Sequence, residues 1–114
     1  MIALYGIANC DTVKKARAWL GERGVAYAFH DFKKLGADHA RLSDWSDHAG
    51  WDKLLNRRGM TFRALPMAET ADLDRTKALR LMQAHPSLIK RPVVEIGRGL
   101  LVGFDPAAWE RAFV

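Results

Sequence analysis

The hydrophobic pattern predicts an α/β domain built on a mixed β-sheet. Three observations carry this expectation. An apolar run, Ile2–Tyr5, closes on Gly6 and is followed by helical periodicity. A strand-like stretch, VAYAFHDF, follows that helix, giving a β-α-β unit of about 30 residues, the length of a right-handed crossover. Near the C-terminus, two short apolar runs flank Gly97-Arg98-Gly99, which reads as a hairpin.

The run Ile2–Tyr5 is uninterrupted, as suits a strand buried on both faces. Asn9 is the expected N-cap of a helix from about Asp11 to Arg23. There Val13, Ala16 and Leu20 recur at three- and four-residue spacing, with Trp19 at the flank and the charged residues largely elsewhere. Gly24 supplies a stop. Val25, Tyr27 and Phe29 then alternate with small or polar residues, the period of a strand. Between about 38 and 85 the period becomes helical, with Leu42, Trp45, Trp51, Leu54 and Leu55, then Leu73, Leu79 and Met82, as core candidates. Gly50 and Gly59 break this stretch, and Pro66–Thr70 reads as a polar turn. The hairpin follows from Val93–Ile96 and Leu100–Val102, and Asp105 and Pro106 open a last helix ending near Phe113. The order β-α-β, helices, β-β, α is a thioredoxin-like fold with an inserted all-helical subdomain.

Composition narrows the function classes. At 114 residues, 49% hydrophobic and 27% charged, residues 1–114 read as one globular domain. No apolar run approaches the roughly 20 residues of a membrane-spanning helix. The N-terminus lacks the pattern of a signal peptide, and the single cysteine excludes an internal disulfide framework, so the expected location is cytoplasmic. The net charge of +5 permits nucleic-acid binding, but the cations are dispersed among acidic residues, so that reading ranks last. The four histidines lack metal-ligand spacing with Cys10, and no glycine-rich phosphate loop is present. Neither a metal nor a bound organic cofactor is expected.

Cys10 lies at the junction of the first strand and the first helix. Unpaired N–H groups and the helix dipole stabilise an anion there. An ordinary thiol, with a pKa of about 8.5, is only about 3% thiolate at neutral pH. A fall of about two units would make thiolate the major form. Lys14, one turn on, is expected to help, and Asp11 to oppose. Arg91-Pro92, just before the third strand, stands where a thioredoxin-like fold places a cis-proline beside its active thiol.

The segments YGIANCDTVKKARAWL, LLNRRGMTFRAL and LIKRPVVEI resemble the arsenate reductase (ArsC) and Spx family. Within it the YffB-type branch, reading YG-x-x-NCDTVKKA, is the best match. The resemblance implies that Cys10 is the nucleophile, that Arg91 is one of three anion-binding arginines, and that Pro92 is the cis-proline. The second arginine position reads Asn56, followed by Arg57 and Arg58, and ungapped counting puts Gly103 at the third. One clean match in three implies an activity other than arsenate reduction. Spx-type proteins often carry a second cysteine three residues after the first, where this chain has Val13. A lone thiol must take its partner from outside. The expected reaction is therefore thiol oxidoreduction on a disulfide or oxidised substrate, with glutathione as co-substrate. Asn9, Lys14, Arg57, Arg58, Arg91 and Pro92 are its candidate anion- or substrate-binding residues. The alternative is a non-enzymatic, Spx-like regulator that binds a protein partner.

Overall fold

The structure, a computed structural model, describes residues 2–113. In chain order the elements are β1 (Ile2–Gly6), α1 (Asp11–Glu22), β2 (Tyr27–Asp31), α2 (Phe32–Leu35), α3 (His39–Ala49) and α4 (Trp51–Leu54). Then come α5 (Met60–Ala64), α6 (Met67–Thr70), α7 (Arg75–Ala84), a 3-10 turn at Pro86–Leu88, β3 (Val93–Ile96), β4 (Gly99–Val102) and α8 (Pro106–Ala112). They gather into two compact units, one comprising the residues up to Asp31 with those from Arg91 onward, the other Phe32–Lys90.

The first unit holds a four-stranded sheet in the order β2-β1-β3-β4. Strands β1 and β2 are parallel, with Tyr5 opposite His30. Strand β3 is antiparallel to β1, with Ala3 opposite Glu95. It is also antiparallel to β4, with Ile96 opposite Gly99. The fold is the expected thioredoxin-like α/β arrangement with a mixed sheet.

Alternation along the strands turns Leu4 and Val94 toward a core with Val13, Ala16, Trp19 and Leu20 of α1 and Trp109 of α8. Trp109 meets Trp19 edge-on at 5.7 Å and Phe104 at 4.8 Å, and its Nε1 donates to the Gly103 carbonyl at 3.1 Å. Its indole is thus buried with its polar atom satisfied. Arg23 ties α1 to α8 through Glu110 at 2.9 Å and lies 3.8 Å from the centre of the Trp19 ring. Arg17 lies 4.1 Å from the centre of the Phe29 ring and donates to the Tyr27 hydroxyl at 2.9 Å.

In the second unit α3, α4 and α7 pack together and bury Leu42, Trp45, Leu54, Leu79 and Met82. An isolated antiparallel bridge joins Leu55 to Ile89. This helical unit, 32–90, encloses the 38–85 stretch marked by periodicity.

Several boundaries differ from the expectation. Cys10, not Asn9, is the N-cap of α1, because Cys10 is extended while its carbonyl already accepts the Lys14 N–H at 2.9 Å. Val25 precedes β2, and Phe32 already begins α2. Residues 67–70 form a helical turn behind Pro66, whose fixed φ suits that position. Gly99 belongs to β4, which shortens the hairpin turn to Gly97-Arg98. Gly97 supplies the φ of +57° that a primed two-residue turn needs at its first position. Trp51 and Leu73 are only half-buried.

Candidate active site

Behind β1 the chain turns through Ala8 and Asn9, both exposed, and the Cys10 N–H closes the turn on the Ile7 carbonyl at 3.2 Å. Cys10 then caps α1 with φ −115° and ψ 125°. No side-chain oxygen closes a conventional cap there. Instead the peptide N–H groups of Val13 and Thr12, in the first turn of α1, hydrogen-bond the Cys10 sulfur. Peptide donors at a helix start favour an anion, because they have no partner within the helix. The thiol is half-buried against the core formed with α1 and α8.

The third donor group comes from far along the chain. Antiparallel pairing sets Val93 opposite Tyr5, so the segment entering β3 arrives where β1 ends. That segment is Arg91-Pro92. Its peptide bond is cis, Pro92 is buried, and the Pro92 carbonyl accepts the Gly103 N–H at 2.8 Å. The Arg91 guanidinium hydrogen-bonds the Cys10 sulfur and adds its positive charge. Burial pushes the thiol pKa up. The Val13 N–H, the Arg91 hydrogen bond and charge, and the Thr12 N–H outweigh it, so the thiol sits below its ordinary value. A thiol so lowered carries more thiolate at a given pH than an ordinary one.

The structure thus brings Cys10, Arg91 and Pro92 together and adds the Thr12 and Val13 peptide groups, which residue spacing alone did not single out. The signal for them was the placement of Cys10 at a helix start rather than any side-chain type. Lys14 does not take the role expected of it. It is exposed, and among the described residues it is not one of the groups that act on the thiol. A lysine ammonium on a flexible stem keeps its hydration instead. Asp11, expected to oppose, is likewise absent from those groups. Asn9 is exposed in the turn and caps nothing.

Arg57 and Arg58 belong to the helical unit and are exposed. The Arg58 N–H donates to Asn56 Oδ1 at 3.1 Å, a local turn that holds this loop, and the Arg57 guanidinium lies 5.6 Å from the centre of the Trp51 ring. His30 stacks on Tyr5 at 4.6 Å, and the Tyr5 hydroxyl donates to Glu95 Oε1 at 3.2 Å. His30 therefore belongs to a network across the sheet. Among the described residues no three of His, Cys, Asp and Glu gather as a metal site, and no helix is long and apolar enough to cross a membrane.

The sequence pattern of the ArsC family matches residues 5–112, a span that includes Cys10 and Arg91-Pro92. The chain belongs to the ArsC family. Among its relatives in that family and beyond, an uncharacterized protein of Haemophilus influenzae is 40% identical over 99% of both chains. A solved structure of a protein named YFFB is 54% identical, covers all of both chains and superposes with a TM-score of 0.98. The global transcriptional regulator Spx of Listeria innocua is 28% identical over 92% of this chain and 81% of its own length. This ArsC-family chain is thus similar both to a YffB-type protein over its whole length and to Spx regulators over most of it.

Proposed function

We propose that this chain is a thiol oxidoreductase that uses Cys10 as its single nucleophile and glutathione as the outside thiol. The observation that carries the reading is the Cys10 sulfur held by two helix-start N–H groups and by Arg91. In the reaction, the Cys10 thiolate attacks a disulfide R–S–S–R′. The Cys10–S–S–R bond forms, the original disulfide breaks, and R′S⁻ leaves with the electron pair. The thiolate of glutathione then attacks the R sulfur, forming R–S–S–glutathione and returning Cys10 as thiolate. Each step exchanges one disulfide for another, so no further oxidant or reductant is needed. The lone cysteine of the chain supports an intermolecular second step. A reduced glutathione pool places the reaction in the cytoplasm.

Arg91 would hold a carboxylate of the glutathionyl group beside the sulfur as a charge-assisted pair, with Lys14 as a further candidate anion contact and Asn9 and Pro92 shaping the approach. A full arsenate clamp is not supported. Gly103, at the third arginine position by ungapped counting, has φ +80°, a backbone conformation that disfavours an arginine.

The test is alkylation of Cys10 against pH, followed by intact-mass analysis after oxidised glutathione. A midpoint below about 8.5, with one glutathione adduct that reduced glutathione removes, is expected. An ordinary midpoint, or no adduct where a control thiol forms one, would sink the proposal. The similarity to Spx favours a second reading, a regulator acting through a protein partner. In that case Cys10→Ser keeps its partner and its cellular effect, whereas the oxidoreductase loses all activity.

A further inference from the structure

The Val13 side chain of α1 packs directly against Gly6 at the end of β1. Gly6 is buried at the end of β1, and a Cβ built on it would stand 2.8 Å from Val13 Cγ2 and 3.3 Å from Cγ1. The first distance is shorter than carbon atoms tolerate. Val13 cannot easily yield, because it is fully buried in the core and β-branched, with one strongly preferred rotamer in a helix. Val13 is also the residue whose peptide N–H hydrogen-bonds the Cys10 sulfur.

We infer that Gly6 is a positioning residue for the Cys10 thiol: its missing Cβ lets β1 close on the Val13 side chain and so seats the Val13 N–H against the sulfur. A side chain at position 6 would push the first turn of α1 away from the strand. Cys10 is held from the other side by its own N–H bond to the Ile7 carbonyl, one residue past Gly6. Strand and helix therefore cannot separate without changing the distance from the N–H to the sulfur. The φ of Gly6 lies outside the left-handed region, so the glycine is required by space and not by backbone conformation. The inference rests on the thiolate reading of Cys10 and is independent of which disulfide or thiol the protein meets.

The experiment compares wild type, Gly6→Ala, Val13→Ala and Gly6→Ala/Val13→Ala, titrating Cys10 by its alkylation rate against pH and checking each fold by far-ultraviolet circular dichroism. In Gly6→Ala the midpoint rises by about one pH unit, which is roughly tenfold less thiolate below both midpoints. In the double variant, removal of the two γ-methyl groups leaves room for the new Cβ, and the midpoint returns to the wild-type value. A merely structural role for Gly6 would lower stability without moving the midpoint. A Gly6→Ala midpoint equal to wild type therefore overturns the inference, and so does a double variant as shifted as the single one. If Gly6→Ala does not fold, a folded double variant with the wild-type midpoint upholds the inference. An unfolded double variant, or a shifted one, refutes it. An ordinary midpoint in the wild type removes the thiolate reading and this inference together. A low wild-type midpoint unmoved by Gly6→Ala removes the inference alone.

Discussion

At Cys10, burial and hydrogen bonding pull the thiol in opposite directions, and the three donor groups prevail. Arg91 acts twice, through a hydrogen bond and through its charge, so Arg91→Ala should raise the alkylation midpoint and slow the reaction at neutral pH severalfold. Arg91→Lys should recover only part of the loss, since an ammonium keeps the charge but not the planar donor geometry. An unchanged midpoint in Arg91→Ala would remove the arginine from the site. The lowered thiol also makes stability depend on pH. Its folded pKa lies below its unfolded value, so its stabilising contribution is complete above the unfolded pKa and is lost as pH falls through the folded pKa. Urea titrations of wild type and Cys10→Ser should therefore diverge as pH rises through this window, and parallel curves would contradict the shift. The cysteine could be found in the sequence because strand, turn and helix start are contiguous. Lys14 misled because helical spacing brings Cα positions together without saying whether a long, hydrated side chain folds toward the sulfur.

The elements most legible from sequence were those whose signals are local. Asp105 and Pro106 marked the start of α8, and the Asp105 carboxylate indeed accepts the Ala107 N–H at 3.2 Å. Val13, Ala16 and Leu20 marked the inner face of α1, and all three are fully buried. Where the signal needed context, boundaries slipped. Val25 alternates correctly with Tyr27 and Phe29, yet its N–H bonds to the Leu20 carbonyl at 3.0 Å as part of the helix ending, so β2 starts later. Two substitutions separate a cap from a core at α8. Asp105→Ala should cost about 1 kcal/mol in a urea titration, the usual loss of one N-cap. Trp109→Ala should cost about 3–5 kcal/mol, because it empties a fully buried site facing Trp19, Phe104 and Phe113. Near-equal losses would mean that α8 is held by its cap and not by its indole.

Across the whole molecule, the charge of +5 divides into engaged and available cations. Arg17 and Arg23 lie on aromatic rings of the first unit, and Arg75 bonds Asp47 and Ser43 within the second. Lys14, Arg57 and Arg58 are exposed, and Arg91 meets the sulfur. The cations thus serve the fold in part, and the remaining surplus still gives the protein a positive field. Such a field raises the encounter rate of anions and lowers that of cations, and salt screens both effects, with a Debye length of about 10 Å at 0.1 M. Oxidised glutathione is an anion, whereas cystamine is a cationic disulfide of similar reactivity. At low ionic strength, the rate at which Cys10 forms a mixed disulfide should therefore favour oxidised glutathione by about threefold or more over cystamine. Raising the salt should bring the two rates together by slowing the first and speeding the second. Arg91→Ala should narrow the gap at low salt more than Arg111→Ala, because Arg91 faces the sulfur and Arg111 is exposed on α8. Equal rates at low salt, or a gap that salt does not close, would show that the positive balance takes no part in selecting the disulfide. A gap that salt does not close would then come from shape at the Cys10–Pro92 surface.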